Sequence, residues 1–328
     1  MARVLSGIQP TGHLHVGNYL GALRQWVVEQ YEADCFYCVV DLHSMTVEHD
    51  PEELRRCSIE NAIGLMAAGL DPDVCTIFLQ SHVHEHSELS WILECTATVG
   101  ELSRMTQYKE KSRGKESVRS ALLTYPVLMT ADILLYDAER VPVGDDQRQH
   151  LELARDIAIR FNGRYGDTFV VPQAVIPKFG ARVMDLQQPE RKMSKSAESP
   201  LGTLHMFDPP DEIARKVKKA VTDTEGRVRY DRQDAPGVSN LVEMLAAATG
   251  RTIEDVVESY SQYGPLKADL IESLVTTLAP VRARFEEMLQ DTAGVASLLE
   301  KGAAKAADVA SVVLRRAKDA VGLVPPGA

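Results

Sequence analysis

Two segments of the sequence carry residue types and spacings suited to chemistry on phosphate groups. The first runs from a predicted strand through a loop into a predicted helix, as Ser6-Gly7-Ile8-Gln9-Pro10-Thr11-Gly12-His13-Leu14-His15-Val16-Gly17-Asn18-Tyr19. Its glycines let the backbone approach a ligand closely, and the N–H groups at a helix start attract phosphate. His15 and Asn18 add side-chain donors. Taken alone, the same glycines are equally compatible with a tight turn.

The second segment is Arg191-Lys192-Met193-Ser194-Lys195-Ser196, which places two lysines three residues apart in a predicted loop. By itself such a run is typical of an exposed charged loop. Together the two segments predict an ATP site, because the triphosphate needs both a backbone cradle and positive charge.

Several other motifs are absent or incomplete. There is no G-x-x-x-x-G-K-[ST] loop and no G-x-G-x-x-G dinucleotide fingerprint in the sequence. His82, His84 and His86 alternate and would share one face of a strand, as metal ligands can. Three ligands from one short run rarely close a tetrahedral site, so we expect no protein-bound metal. Cys35 and Cys38 form a C-x-x-C inside an apolar run, which favours a buried strand.

The elements that must position these segments alternate between strands and helices. Predicted strands cover Arg3–Ser6, Cys35–Val40, Thr76–Leu79 and Arg140–Val143. Predicted helices run from about Val16 to Tyr31, Pro51 to Gly69, Glu88 to Tyr108, Pro126 to Asp137 and Asp146 to Phe161. This alternation indicates an α/β fold with a Rossmann-like parallel sheet, whose ligands lie beyond the carboxyl ends of the strands.

After about Pro200 the pattern changes to helices alone. They are predicted over Asp211–Val221, Val238–Ala248, Thr252–Tyr260, Leu266–Leu289 and Ala303–Val321. We therefore predict a catalytic domain over residues 1–204 and a smaller all-helical domain over residues 205–328. The last helix has an apolar face, and the sequence leaves open whether that face packs back on the first domain.

Charge and composition limit the partners and the compartment. The net charge of −11 argues against a protein that coats nucleic acid through a basic field. A local basic run still favours a polyanion partner, because it follows the predicted phosphate site. Its cations are Arg191, Lys192, Lys195, Arg215, Lys216, Lys218, Lys219, Arg227 and Arg229. No apolar stretch of ~18 residues and no signal peptide are evident, and five irregularly spaced cysteines fit a reducing compartment. We expect a cytoplasmic protein without membrane contact.

The two phosphate segments resemble the signatures of the class I aminoacyl-tRNA synthetases. His15-Val16-Gly17-Asn18 resembles the HIGH signature with Asn in place of the last His, and Lys192–Ser196 matches KMSKS in full. Two further runs, Leu122–Tyr136 and Val141–His150, are similar to the bacterial tryptophanyl-tRNA synthetases within that family. The likeness covers essentially the whole chain.

The resemblance implies a two-step reaction. L-Tryptophan is activated with ATP to tryptophanyl-adenylate plus pyrophosphate, and the tryptophan is then transferred to the 3′ end of tRNA(Trp). Mg²⁺ would arrive on the phosphates of ATP. The family pattern also implies a homodimer. No cysteine follows Cys95, so the iron–sulfur centre of some members is not expected.

The resemblance also implies roles for individual residues. Those implied to bind ATP are Gln9, Pro10, Thr11, Gly17, Asn18, Gly144, Asp145, Asp146, Val183, Lys192, Met193, Ser194, Lys195 and Ser196. Charge on the transferring phosphates would be stabilised by Lys111, Lys192 and Lys195. Those implied to bind tryptophan are His43, Tyr125, Met129, Asp132, Val141, Val143 and Gln147. For the two valines, plain strand core is an equally compatible reading.

Asp132 is the residue from which we expect specificity. Tyr125, Met129, Asp132 and Tyr136 recur at helical spacing and share one face, which is otherwise largely apolar. A carboxylate there needs a donor, which is either the indole N–H of the substrate or a protein group that merely fixes the helix. Leu5 stands where the family often has an aromatic residue flanking the indole.

Three rival functions remain open to test. A tyrosine-specific relative would need buried partners for a phenolic hydroxyl. A non-catalytic tryptophan-binding sensor would have no need of the phosphate lysines, and this chain keeps both. A nicotinamide dehydrogenase would need the dinucleotide fingerprint that the sequence lacks.

Overall fold

The structure is a computed structural model that describes residues 2–114, 117–142, 144, 147–175, 182–194, 199–325 and 327. Five parallel strands form one sheet in this part of the chain, in the order β3-β2-β1-β4-β5. The strands are β1 Arg3–Ile8, β2 Asp34–Val39, β3 Thr76–Leu79, β4 Arg140–Pro142 and β5 Gln173–Val175. The predicted α/β parallel sheet is confirmed, and β5 is a strand beyond those predicted. The strand order reverses between β1 and β4, the place where such sheets open a ligand crevice.

Helices cover both faces of the sheet, and β2 and β3 are accordingly buried almost throughout. Their bounds are α1 Val16–Asn18, α2 Arg24–Glu29, α3 Asp41–Ser44, α4 Pro51–Ala67, α5 Glu85–Glu94, α6 Val99–Leu102, α7 Thr106–Ser112, α8 Ser120–Leu134 and α9 Arg148–Tyr165. A π-helical stretch, Tyr19–Leu23, joins α1 to α2, and a 3-10 turn, Gln80–His82, follows β3.

Helix α8 begins at Ser120, so its predicted start at Pro126 is wrong. Proline suggested a start because it lacks the N–H that would bond the carbonyl four residues earlier. The helix continues through Pro126 since burial outweighs the lost bond: Leu122, Pro126 and Val127 are all buried within it.

The second half of the described chain is helical. The helices are α10 Pro210–Lys218, α11 Pro236–Thr249, α12 Ile253–Ser259, α13 Tyr263–Gln290 and α14 Thr292–Val321. Helix α14 starts well before the predicted Ala303, because the Asp291 carboxylate caps it by accepting the Gly294 N–H at 2.9 Å. Within the described ranges, no helix has the length and apolarity needed to cross a bilayer.

Buried apolar side chains form separate clusters on the two faces of the sheet and in the helical part. The cluster in the helical part draws in Val16 and Leu20 from the start of the first helical region. It also includes Val183, Met193 and Leu204. The segment that precedes residue 205 therefore packs with the helices that follow it.

Helix α14 lies against β3 and α5 at the edge of the sheet. A Cβ atom on Gly302 would stand 1.9 Å from the carbonyl oxygen of Ile77, so only glycine permits this approach. Towards the end of α14, Arg316 pairs with Asp137 and Lys318 pairs with Glu88, each at 2.5 Å. The last helix thus packs on the sheet, the arrangement that the sequence left open.

Candidate active site

A cavity of about 470 Å³ opens at the carboxyl ends of β1 and β4, where the strand order reverses. Half of the predicted site residues meet in it. Those lining its wall are Gln9, Thr11, Asn18, His43, Lys111, Tyr125, Met129, Asp132, Val141, Gly144 and Gln147. Those lying outside its wall are Pro10, Gly17, Val183, Lys192, Met193 and Ser194. Those outside the described residues are Val143, Asp145, Asp146, Lys195 and Ser196.

The HIGH-like segment is held by a reciprocal cap at the start of α1. The Asn18 N–H donates to His15 Nδ1 at 3.2 Å, and the His15 N–H donates to Asn18 Oδ1 at 3.0 Å. Gly17 sits inside this cap, where a Cβ would stand 2.9 Å from His15 Nδ1 and 3.3 Å from Val183 Cβ. A side chain at Gly17 would therefore disturb both, which explains the glycine without a direct place in the cavity wall.

The described part of the lysine-rich segment, residues 191–194, packs beside that cap and outside the cavity wall. The Met193 N–H donates to the Val183 carbonyl at 3.1 Å, and the Thr203 hydroxyl donates to the Ser194 carbonyl at 2.8 Å. Met193 is buried whereas Lys192 is exposed. The described part of this segment thus stands next to the HIGH-like segment through Val183 and Gly17.

Of the predicted phosphate lysines that the structure describes, Lys111 lines the cavity and Lys192 does not. Lys111 Nζ lies 3.4 Å from Gln107 Oε1 and 5.9 Å from the centre of the Tyr125 ring. Gln107 also accepts from the Tyr125 hydroxyl at 3.1 Å. Burial raises the pKa of Tyr125 to about 12, so this hydroxyl stays protonated at neutral pH.

Tyr125, Met129 and Asp132 line the cavity from one face of α8, as the spacing predicted. Tyr136, the fourth member of the series, lies beyond the end of α8 and is fully buried behind the cavity. Val141 and Leu5 complete the apolar wall, and both are almost completely buried. Leucine therefore occupies the position where the family often has an aromatic ring.

Asp132 receives hydrogen bonds from three protein side chains. His43 Nε2 lies 2.8 Å from Oδ2, while Gln80 Nε2 and His86 Nδ1 lie 2.7 and 2.6 Å from Oδ1. Burial alone would raise the pKa of Asp132, but His43 and His86 outweigh it and hold that pKa well below the usual value. The carboxylate is therefore ionised as well as buried.

The groups around Asp132 come from separate elements. His43 is carried by α3, whose first residue Asp41 accepts from the Ser81 N–H at 2.9 Å and from the Ser81 hydroxyl at 2.5 Å. That contact ties α3 to the turn holding Gln80. Gln80 was not among the predicted site residues, although its place directly after β3 was a signal.

The sequence pattern places His86 among three alternating histidines and predicts no further role for it. The 3-10 turn and the start of α5 break that alternation, so His82 and His84 are exposed while His86 is fully buried. No group of three or more His, Cys, Asp or Glu side chains in the described chain could hold a metal ion. His86 instead lies within hydrogen-bond distance of Asp132 and of the Tyr136 hydroxyl.

The basic run is less available than its sequence suggests. Lys216 is buried against Asp208 at 2.7 Å, and Arg215 pairs with Glu212 at 2.6 Å. Lys218 and Lys219 are exposed.

Comparison with known proteins agrees with the geometry of this site. Residues 1–279 match the family described as tRNA synthetases class I (W and Y). The chain is 52% identical to tryptophan–tRNA ligase 1 of Streptomyces coelicolor, over 99% of this chain and 98% of that protein. It is 50% identical to the tryptophan–tRNA ligase of Caldanaerobacter subterraneus, over 99% of each chain.

Solved structures agree. The tryptophanyl-tRNA synthetase of Mycoplasma pneumoniae superposes with a TM-score of 0.91 at 35% identity, covering 99% of this chain and 98% of that one. The Campylobacter jejuni enzyme, solved with ADP and tryptophan, superposes with a TM-score of 0.83 at 33% identity. The match covers 98% of this chain and 100% of that one. A tyrosyl-tRNA synthetase of Archaeoglobus fulgidus shares the fold at 19% identity, with a TM-score of 0.70 over 87% of this chain and 90% of that one.

The chain therefore belongs to the class I tRNA synthetase family of tryptophan and tyrosine. Within that family it stands with the bacterial tryptophan–tRNA ligases, and its activity is the aminoacylation of tRNA with tryptophan.

Proposed function

We propose that both steps of the tryptophan–tRNA ligase reaction take place in the cavity between β1 and β4. The tryptophan carboxylate attacks the α-phosphorus of ATP and expels pyrophosphate, and a ribose hydroxyl at the 3′ end of tRNA(Trp) then takes the acyl group. No covalent enzyme intermediate is required, so the protein contributes positioning and charge stabilisation. The observation that carries this proposal is one cavity lined by Asn18 of the HIGH-like segment and by Asp132.

At the nucleotide end, the HIGH-like segment and Gly144 would hold ATP. Gln9, Thr11 and Asn18 line the cavity, and the reciprocal cap between His15 and Asn18 fixes the start of α1 beside it. Pro10, Gly17 and Val183 would act by shaping this segment. Roles for Asp145 and Asp146 near the ribose and base follow from the family pattern.

Charge on the transferring phosphates would be stabilised by lysines from two segments. Lys111 already lines the cavity. Lys192, with Lys195, would approach from the segment Lys192–Ser196, in which Met193 bonds to Val183 beside Gly17. Mg²⁺ would enter as part of the substrate MgATP.

At the other end, the cavity suits the indole of tryptophan. Met129 and Val141 would contact its faces. The same role for Val143 follows from the family pattern alone. Tyr125, His43 and Gln147 would hold the polar end of the amino acid. A carboxylate has about four acceptor positions, and three described donors occupy three of them at Asp132. The remaining position would accept the indole N–H.

The division into a catalytic domain, residues 1–204, and a helical tRNA-binding domain, residues 205–328, is part of the same proposal. Exposed Lys218 and Lys219 support contact between the helical part and a polyanion. We further propose a homodimer in the bacterial cytoplasm, where tRNA and ATP are available.

Amino-acid-dependent ATP–pyrophosphate exchange, run with tryptophan and tyrosine side by side, tests the proposal. We expect exchange with tryptophan and almost none with tyrosine, since Met129 and Asp132 suit an indole better than a phenol. Equal rates, or a preference for tyrosine, would reject it. A tryptophan-binding sensor would show binding without exchange.

A further inference from the structure

We propose that His86 is a positioning residue for tryptophan recognition, which fixes the orientation of Asp132 and is itself held by Tyr136. This inference rests on the proposed role of Asp132 at the indole end. It concerns a side chain that lies behind the cavity wall and touches no substrate.

The three side chains form a continuous buried chain of hydrogen bonds. His86 Nδ1 lies 2.6 Å from Asp132 Oδ1, and His86 Nε2 lies 2.8 Å from the Tyr136 hydroxyl. His86 and Tyr136 are each fully buried, and their ring centres are 5.6 Å apart. Phe78 packs on both rings. Such a chain has no water to replace a missing partner, so each bond constrains the next.

The chemistry of the groups assigns the protons. An ionised carboxylate only accepts hydrogen bonds, so His86 Nδ1 carries a proton in either charge state of the ring. When the ring is neutral, Nε2 is an acceptor, and the Tyr136 hydroxyl must donate to it. Tyr136 thereby selects the tautomer that His86 needs in order to donate to Asp132.

The donors are distributed unequally over the two oxygens of Asp132. Oδ1 accepts from both Gln80 and His86, and these two bonds use its two lone pairs. Oδ2 accepts from His43 and retains one acceptor position. His86 and Gln80 therefore determine that Oδ2 is the oxygen available to the indole N–H.

Two substitutions at one position separate this role from simple space filling. In His86→Asn the side-chain amide nitrogen reaches about as far as Nδ1, so a donor to Asp132 is kept and the contact with Tyr136 is lost. In His86→Gln the amide reaches about as far as Nε2, so the contact with Tyr136 is kept and the donor to Asp132 is lost. Both variants bury one amide in place of one imidazole.

The measurement is the ratio of kcat/KM for tryptophan to kcat/KM for an analogue with sulfur in place of the ring nitrogen, in ATP–pyrophosphate exchange. We expect this ratio to fall about tenfold in His86→Gln and to stay within about threefold of the native value in His86→Asn. His84→Gln is the matched control, because the His84 side chain is 81% exposed, and it should leave the ratio unchanged.

The outcomes are separable. A native enzyme that exchanges with both compounds equally well would refute the proposed role of Asp132 itself. A native preference that survives in His86→Gln, or an equal weakening of both substrates in both variants, would refute the role of His86. If His86→Gln does not fold, Tyr136→Phe decides: a fall of about threefold in the ratio supports the inference, and an unchanged ratio overturns it.

Discussion

The two ends of the cavity are built in different ways. At the indole end, Asp132 is buried and ionised, and its partners His43, Gln80 and His86 lie 2.6 to 2.8 Å away. At the nucleotide end, the HIGH-like segment is ordered by its own backbone and cap, whereas Lys192 is exposed and lies outside the cavity wall.

From this difference we expect the indole end to determine which amino acid is selected and the nucleotide end to determine the rate of activation. A ligand that meets a fixed acceptor is distinguished by what it can donate, because a buried carboxylate position left without a donor costs free energy. Charge that develops on phosphate during the reaction instead calls for cations that act at the transition state. If the proposed roles hold, the enzyme keeps its selective group buried in the core and takes its phosphate charges from Lys111 and from the segment Lys192–Ser196.

The largest expected effect is on the phosphate end. Lys195→Ala should lower the rate of tryptophan activation by about 10²–10³, the typical cost of losing one group that stabilises transition-state charge. Lys192→Ala should behave similarly, while the affinity for tryptophan changes little in either variant. Pre-steady-state formation of the adenylate, with tryptophan binding measured separately, checks this.

Lys218→Ala is the control, since it removes the same charge from an exposed helix position and should leave exchange intact. Near-normal activation in both Lys192→Ala and Lys195→Ala would mean that the segment is only a charged surface, and the contrast between the two ends would disappear.

The second prediction concerns the indole end. Asp132→Ala should lower the ratio of kcat/KM for tryptophan to that for a sulfur analogue by about 10–10², because only the true substrate loses a partner. It should also lower the free energy of unfolding by about 2–3 kcal/mol, since three buried donors lose their acceptor. In Asp132→Asn the ratio should fall by more than the loss of charge alone would cause. Its NH₂ group would take the place of one carboxylate oxygen, and each of the two oxygens has a donor facing it.

Asp34→Ala provides the stability control: its partner Arg3 is 3.2 Å away and both side chains are partly exposed, so the cost should stay below about 1 kcal/mol.

The sign of the pH dependence follows from the lowered pKa of Asp132. Its stabilisation is present above about pH 4, the unfolded value, and is lost as the pH falls below that value. Equal weakening of both substrates in a folded Asp132→Ala would make Asp132 purely structural.

A third prediction asks whether tRNA is bound away from both ends of the cavity. Charge reversal at Lys218 and Lys219 should weaken tRNA binding about tenfold at low salt and leave tryptophan-dependent exchange unchanged. The double reversal Lys301→Glu with Lys305→Glu makes the same change of net charge on exposed positions of α14. An equal loss of tRNA affinity in both double variants would indicate a general electrostatic effect. No loss in the Lys218 and Lys219 variant would mean that these lysines are only part of a solvated surface.

The smallest effect is expected at the brace between α14 and the indole end. Arg316→Ala removes the pair with Asp137, the residue after Tyr136, and should cost about 1 kcal/mol of unfolding free energy because the pair is partly exposed. A rise in KM for tryptophan of about twofold would show that α14 helps to hold the Asp132 network. Arg227→Ala, which breaks an exposed pair with Glu225, should alter neither quantity. A KM equal to that of the native enzyme would mean that the Arg316–Asp137 pair contributes to stability and not to tryptophan binding.

Local sequence patterns predicted the parts of the molecule that depend on short-range spacing. The strand–helix alternation predicted the parallel sheet, and the series Tyr125, Met129, Asp132 placed three cavity residues on one face of α8. Patterns failed where packing overrides propensity, as at Pro126 inside α8, and where a local cap was overlooked, as at Asp291 before α14. Residues that recur at helical spacing identify one face of a helix, but they do not identify the element that packs against that face.

The sequence by itself determined that this is an α/β enzyme with a HIGH-like segment, a KMSKS segment and a carboxylate on an apolar helix face. Only the tertiary structure decided what surrounds that carboxylate. His86, Gln80 and His43 lie 46, 52 and 89 positions from Asp132 along the chain. No periodicity operates over such separations, because the relative placement of α3, α5 and α8 is set by the burial of their apolar faces against one sheet. A buried charge needs that convergence, since without the three donors the low-polarity interior would neutralise it.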